Sequence, residues 1–300
     1  MKVSDILKAA EGPLISLEVF PPKVTYTSEG PTIQQHLSNI FDTVEHLGRY
    51  EPAFISVTYN PEGKTKATSI PVAAIIKQRF GIESVAHLTC IATPRDELVR
   101  TLNVLDYFDI DNVLALQGDR PEGHVHDPSC LRYASELVAE IRRHSHDFCI
   151  GVAAYPEGHP VCVDGEGRRD LDRDVVHFRH KVDQGADFAI TQLFLDNGHF
   201  HRYVARVRAA GVHIPIIPGI MPVINRNILG IVQRLCGASV PDGLARRIED
   251  LRDDPAEVME IGIDHAVRQC KNLVDRVPCI HFYTMDMWEP VERIIEGLGL

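Results

Sequence analysis

A chain of 300 residues, 44% hydrophobic and 24% charged, is long enough to bury a sizeable core as one large domain or two average ones. A formal net charge of −11 argues against nucleic acid or an anionic membrane as the main partner, though a local cationic cluster can still hold a small anion. The seven cysteines are scattered and contain no C-x-x-C, which reads as reduced thiols, several of them buried; no long apolar run follows Met1-Lys2-Val3-Ser4-Asp5, so no signal peptide, lipid anchor or membrane span is expected and the cytoplasm is the default compartment.

The first short apolar run, residues 14–20, has the length of a buried strand. Ile33, Leu37, Ile40, Val44 and Leu47 then repeat at steps of four and three, which puts an apolar stripe on one helix face. Further strands are predicted at 53–59 and 84–91. Thr93-Pro94-Arg95-Asp96 reads as a helix start, with a hydroxyl cap, a proline at the first helical position and an acid in the first turn. Leu98, Leu102 and Leu105 line one face of that helix. Strands follow at 112–116, 149–155, 188–194 and 214–220. The longest polar interruption, residues 163–174, reads as a loop after the fifth strand. Residues 229–235 are helical. Asp254-Pro255 opens another helix, with Val258, Ile261, Val267 and Cys270 inward. A last strand, 279–284, precedes a last helix at 291–298.

Eight strands alternating with helices imply a parallel sheet, and most of the strands run apolar on both faces, as in a sheet covered on both sides. Eight units within 300 residues favour a closed (β/α)₈ TIM barrel, a single domain over 1–300, above an open doubly wound sheet. No G-x-G-x-x-G follows a strand and no P-loop occurs, so a Rossmann or P-loop site has no support.

Barrel enzymes keep their sites at the C-terminal strand ends. Glu18 stands there on strand one, inside an apolar run just before Pro21-Pro22. Desolvation favours the protonated form of a carboxyl and prepares it as a general acid; a glutamate paired with lysine or arginine is the equal alternative. Asp119 follows Gly118 at the fourth strand end and reads on spacing alone as a turn or capping aspartate. Gln192 lies in an apolar run, so its amide needs a ligand or an internal network. His87 and His281 read as satisfied core histidines. His124-Val125-His126 is an H-x-H, but in a Pro/Gly/Asp loop. His177 and His180, three apart on a helix, have no carboxylate set beside them, so no metal site is expected.

These strand ends resemble the methylenetetrahydrofolate reductase family. The matching segments are SLEVFPPK at 16–23, FISVTYNP at 54–61, HLTC at 87–90, NVLALQGD at 112–119, YAS at 133–135, VAAYPEGHP at 152–160, KVDQGADFAITQLFLD at 181–196, IPIIPGIMPV at 214–223 and HFYT at 281–284. They follow the family's order and span nearly the whole chain. The resemblance implies an FAD-binding (β/α)₈ barrel. It would reduce 5,10-methylenetetrahydrofolate to 5-methyltetrahydrofolate by hydride transfer from reduced flavin, with NADH or NADPH reducing the flavin. It implies a homo-oligomer without nucleic acid, membrane or metal. Glu18 matches the general acid, Asp119 the aspartate near flavin and pterin, and Gln192 a folate contact, with Tyr283 beside them. Thr58, His87, Gln117, Gly118, Tyr133, Ala134, Tyr155, His159, Asp174 and Lys181 fall on positions that touch FAD or line its pocket. His177 and His180 align with FAD contacts but differ in residue type.

Three departures stand out. The family often has Arg-Gly-Asp where this chain has Gln117-Gly118-Asp119, which removes a fixed positive charge beside the flavin. It commonly has Leu-Asn-Arg after HFYT, where this chain has Met285-Asp286-Met287. The 163–174 loop is longer than in many relatives. An electron-donor protein in place of the nicotinamide, or a non-catalytic folate- or flavin-binding subunit, are the alternatives these departures raise; the retention of Glu18, Asp119 and Gln192 speaks for catalysis.

Overall fold

The computed structural model describes residues 1–22, 32–59, 66–120, 123, 125–251 and 254–300. Lys23, Asn60, Pro61 and His124, which the sequence reading singled out, lie outside these residues. The strands are β1 (Leu14–Val19), β2 (Ile55–Val57), β3 (Ser84–Thr89), β4 (Asn112–Leu116), β5 (Cys149–Ala154), β6 (Phe188–Thr191), β7 (Ile216–Ile217), β8 (Gly219–Ile220) and β9 (Cys279–Tyr283). Every pairing between these strands is parallel, in the order β7-β6-β5-β4-β3-β2-β1-β9-β8.

The seventh predicted strand is split at Pro218. Proline has no N–H to give a ladder. Ile216 and Ile217 pair with β6, and Gly219 and Ile220 pair with β9. The Pro218 carbonyl still accepts from the His281 N–H at 2.9 Å. The two halves therefore serve opposite neighbours, and the sheet closes as a (β/α)₈ TIM barrel.

The helices are α1 (Val3–Ala9), α2 (Ile33–Gly48), α3 (Lys66–Ile75), α4 (Arg95–Tyr107), α5 (Ala134–His144), α6 (Leu171–Asp183), α7 (Asn197–Ala209), α8 (Arg226–Ile231), α9 (Asp242–Glu249), α10 (Pro255–Leu273) and α11 (Trp288–Leu298). The α2 stripe is inward, with Ile40, Val44 and Leu47 buried. Asp254 caps α10 by accepting from the Ala256 N–H, with Pro255 in the first turn. Several expected boundaries move: β2, β3 and β6 are shorter than their apolar runs, and α11 starts at Trp288 rather than 291. Thr93 does not cap α4: Pro94 occupies that position in extended geometry, paired with Cys130, and the helix starts one residue later. The loop after β5 ends sooner than 174, because Asp170 caps α6 by accepting from the Arg173 N–H. No helix among the described residues is long and apolar enough to cross a membrane.

Successive strand side chains point to opposite faces. Ile15, Leu17, Val19, Ile55, Val57, Ala86, Leu88, Val113, Ala115, Ile150 and Val152 form the outward core under the helices. The inward floor holds Phe54, Val85, Leu114, Cys149, Phe188 and Cys279, closed from below by Val3 and Leu7 of α1. Asn112 fastens that plug: its Oδ1 accepts from the Val3 N–H at 2.8 Å and its Nδ2 donates to the Met1 carbonyl at 3.0 Å.

Candidate active site

Along five inward columns the chemistry changes from apolar floor to polar mouth; β4 runs the other way, from Asn112 to Leu114 and Leu116. Leu14 gives way to Ser16 and Glu18, Phe54 to Ser56 and Thr58, Val85 to His87 and Thr89, Phe188 to Ile190 and Gln192, and Cys279 to His281 and Tyr283. The strands are therefore not apolar throughout both faces, as their composition suggested. Apart from Asn112 at the floor, polar side chains on the inner face of these columns gather at one end. A pocket of about 930 Å³ opens there.

Glu18 lies at the pocket floor, 7% exposed. Ser56 Oγ donates to its Oε2 at 3.5 Å; His87 Nε2 and His281 Nε2 stand 3.6 and 3.9 Å from the same oxygen. Among the described residues its ionic neighbours are thus histidines, not the lysine or arginine of a structural pair. The Thr284 hydroxyl donates to the Glu18 carbonyl at 2.6 Å and anchors the strand end. The two histidines, alike on pattern, differ. His281 is fully buried and bonded, with its Nδ1 2.9 Å from Ser16 Oγ. The Nε2 of His87 is buried without a hydrogen-bond partner, and burial pulls the imidazole down to about 4, so it is neutral at pH 7.

The facing wall is α6. Arg173, His177, His180 and Lys181 recur at helical spacing and all line the pocket. Lys181 Nζ donates to the Ala153 carbonyl at 2.5 Å; burial lowers its pKa to about 8, opposed in part by the charge of Asp174. Burial raises Asp174, opposed first by Lys181, and its Oδ1 accepts from the His159 N–H at 3.3 Å. Tyr155 meets the His159 ring edge-on at 4.5 Å, and burial pushes its phenol above the ordinary range. Burial, then Lys181, lowers His159.

At the β4 end Gly118 has φ +86°, a left-handed geometry that favours glycine and exposes backbone to the pocket. The Gln117 amide donates to the Arg132 carbonyl at 2.8 Å, tying this loop to the start of α5, where Tyr133 and Ala134 line the mouth. Asp119 is exposed at the rim and caps no helix among the described residues. Across the mouth, the Tyr283 hydroxyl donates to the Thr191 carbonyl at 2.6 Å, and the Gln192 Oε1 accepts from the Leu193 N–H at 2.9 Å.

Thr58, His87, Gln117, Gly118, Asp119, Tyr133, Ala134, Tyr155, His159, Asp174, His177, His180 and Lys181 thus line the same pocket as Glu18, Gln192 and Tyr283. Thr89 and Thr191, which the sequence places at strand ends, also line it, as does Arg173, which was not singled out from sequence. The helical spacing before His177 was the available signal for Arg173. Met285 and Met287 are exposed outside it. His126 lies in a side pocket of about 280 Å³ with Arg120, Arg132 and Tyr133. Among the described residues no three His, Cys, Asp or Glu side chains converge to hold a metal ion. All seven cysteines are free thiols and six are buried.

The family model for methylenetetrahydrofolate reductase matches residues 2–299. Methylenetetrahydrofolate reductase 1 of Schizosaccharomyces pombe is 36% identical over all of this chain and 49% of its own length. The 5,10-methylenetetrahydrofolate reductase of Pectobacterium carotovorum subsp. carotovorum is 32% identical over 95% of this chain and 90% of its own. The chain spans about half the length of the fungal and plant relatives it matches. A Clostridium thermocellum protein solved with two copies of 5-methyl-5,6,7,8-tetrahydrofolic acid has a TM-score of 0.66, covering 99% of this chain and 97% of that one; at 14% identity this likeness speaks for the fold.

Proposed function

The chain belongs to the methylenetetrahydrofolate reductase family, and we propose that it reduces 5,10-methylenetetrahydrofolate to 5-methyltetrahydrofolate in this pocket, with FAD as its cofactor and NADH or NADPH as donor. One observation carries the reading: a buried carboxyl on β1, the Gln192 amide after β6 and a cationic helix face on α6 meet in one pocket.

The residues present fit a flavin dinucleotide. A volume of about 930 Å³ lies at the upper end of small-molecule sites, which run to roughly 1,000 Å³. Lys181, His177, His180 and Arg173 would face its diphosphate, and the glycine geometry at 118 admits a close approach. Thr58, His87, Gln117, Tyr133, Ala134, Tyr155, His159 and Asp174 would surround the remainder. When bound, the flavin supplies the hydride.

This chain's own residues would do the rest. Glu18 gives a proton to the folate, so that the methylene bridge opens to an iminium. Asp119 favours the developing cation. Gln192 and Tyr283 hold the folate against that face. The apolar layer below Glu18 closes the bottom of the pocket.

Anaerobic stopped-flow tests the reading. Mixing the FAD-loaded protein with NADH should bleach the flavin, and methylenetetrahydrofolate should reoxidise it. Bleaching that fails with both nicotinamides, with reoxidation intact after chemical reduction, would assign the donor role to another protein. Glu18→Gln should leave flavin reduction largely intact and slow the folate step by about two to four orders of magnitude. Equal damage to both steps would make Glu18 structural.

A further inference from the structure

We propose that His281 is a positioning residue: a one-way hydrogen-bond chain through Ser16, His281 and Ser56 commits one oxygen of Glu18 as acceptor and keeps the other, Oε1, to carry the proton toward the ligand. The inference rests on the reading of Glu18 as the general acid.

The chain is continuous. Cys279 Sγ lies 3.3 Å from Ser16 Oγ, Ser16 Oγ lies 2.9 Å from His281 Nδ1, His281 Nε2 lies 3.4 Å from Ser56 Oγ, and Ser56 Oγ lies 3.5 Å from Glu18 Oε2. Cys279, Ser16, His281 and Ser56 are fully buried, so no bulk water competes for these bonds. Phe54 stacks on the His281 ring at 5.8 Å and Tyr283 meets it edge-on at 5.5 Å, which fixes the ring plane.

A chain of hydroxyls and one imidazole can run in either direction, and its two ends decide which. One end is a thiol, a weak donor and a weaker acceptor. The other is a carboxyl oxygen, the strongest acceptor present. The favoured direction starts at the Cys279 S–H, passes from the Ser16 O–H to Nδ1, then from the Nε2–H to Ser56, and ends with the Ser56 O–H on Oε2. Burial pushes the Cys279 thiol up to about 12, which keeps it a donor; Ser16 Oγ at 3.3 Å is its nearer acceptor and the Ile280 carbonyl at 3.6 Å its farther one. The opposite direction would put the glutamate proton on Oε2 and end on sulfur.

The second histidine agrees. His87 Nε2 lacks a hydrogen-bond partner and faces Oε2 as well, so a proton on that nitrogen points where the Ser56 hydroxyl points. The groups placed near the carboxyl therefore approach it at Oε2. No net proton passes along the chain: each member keeps its hydrogen, and the proton that leaves Oε1 is replaced from the pocket side.

The test joins a spectrum to a rate. In the wild-type protein with ¹⁵N-labelled histidine, NMR should show His281 as the Nε2–H tautomer with a bare Nδ1; an Nδ1–H tautomer overturns the proposal. In the folate half-reaction, Ser16→Ala and His281→Asn should lower the rate about tenfold to a hundredfold, the scale for misplacing a reacting side chain, and displace the alkaline limb of the pH profile, where a general acid gives up its proton. His281→Gln, which keeps an N–H toward Ser56, should recover part of the loss. Unchanged rates and pH profiles in Ser16→Ala, with a wild type that does reduce the folate, overturn the proposal. A wild type that never reduces the folate overturns the functional reading instead, and the tautomer still decides the chain.

Discussion

Asp286→Asn is expected to stabilise the protein at neutral pH and to lose that advantage in acid. Asp286 sits just past β9 with φ +55°, a geometry that asparagine and aspartate tolerate better than most residues. Its Oδ1 accepts from the Phe20 N–H at 3.0 Å, and asparagine can keep that bond. Desolvation raises the carboxyl to about 6, only partly offset by the Phe20 bond and His36. Between 3.8 and about 6 the folded state therefore holds a proton that the unfolded chain has released. The stability this group contributes is fully present below 3.8 and is lost as pH rises through about 6. That interval is worth at most about 3 kcal/mol, at about 1.36 kcal/mol per pH unit. The side chain keeps some solvent contact, so the expected gain for Asp286→Asn at pH 7.5 is about 1–2 kcal/mol, or roughly 2–5 °C in Tm. Thermal melts at constant ionic strength from pH 4 to 8 would measure it. The gain should shrink as pH falls through 6 and vanish near 4. A gain of the same size at every pH, or a loss at pH 7.5, would refute the reasoning.

Three other substitutions probe separate parts of the molecule. Lys181→Ala should weaken FAD binding about tenfold to a hundredfold, the loss of one charge-assisted contact, read by flavin fluorescence titration; in the unsubstituted protein affinity should fall as pH rises past about 8, where Lys181 gives up its charge. Arg142 bonds the Gly185 and Phe148 carbonyls and pairs with Asp187 at 2.5 Å, so Arg142→Ala should cost about 2–4 kcal/mol in urea unfolding, and a loss under about 1 kcal/mol would show the clamp to be incidental. A Cβ on Gly262 would overlap the Val223 carbonyl, so Gly262→Ala should force α10 off the barrel and lower the urea midpoint by the equivalent of about 1–3 kcal/mol; an unchanged midpoint would contradict the tight packing.

How far the chain can be read without its fold differs by feature. The strand-and-helix alternation was legible because apolar runs and caps are local; Asp254-Pro255 marks the start of α10 as it should. Thr93-Pro94 misled by a residue, because the pairing of Pro94 with Cys130 across 36 positions overrides the local cap. The seventh strand read as one segment, although Pro218 hands its halves to different neighbours. The strand-end motifs pointed to the residues that now share a pocket, but not to the roles of the side chains behind them.

By itself, then, the sequence determined the order of elements, the apolar faces and the strand ends at which polar side chains gather. Tertiary structure decided which of those side chains meet. Ser16 and His281 are 265 residues apart and become neighbours only when β1 pairs with β9. Local propensity acts over a few residues, whereas barrel closure brings together groups from opposite ends of the chain. That closure is why His87 and His281, alike in pattern, end as an unsatisfied ring in the pocket and a fully bonded one behind it.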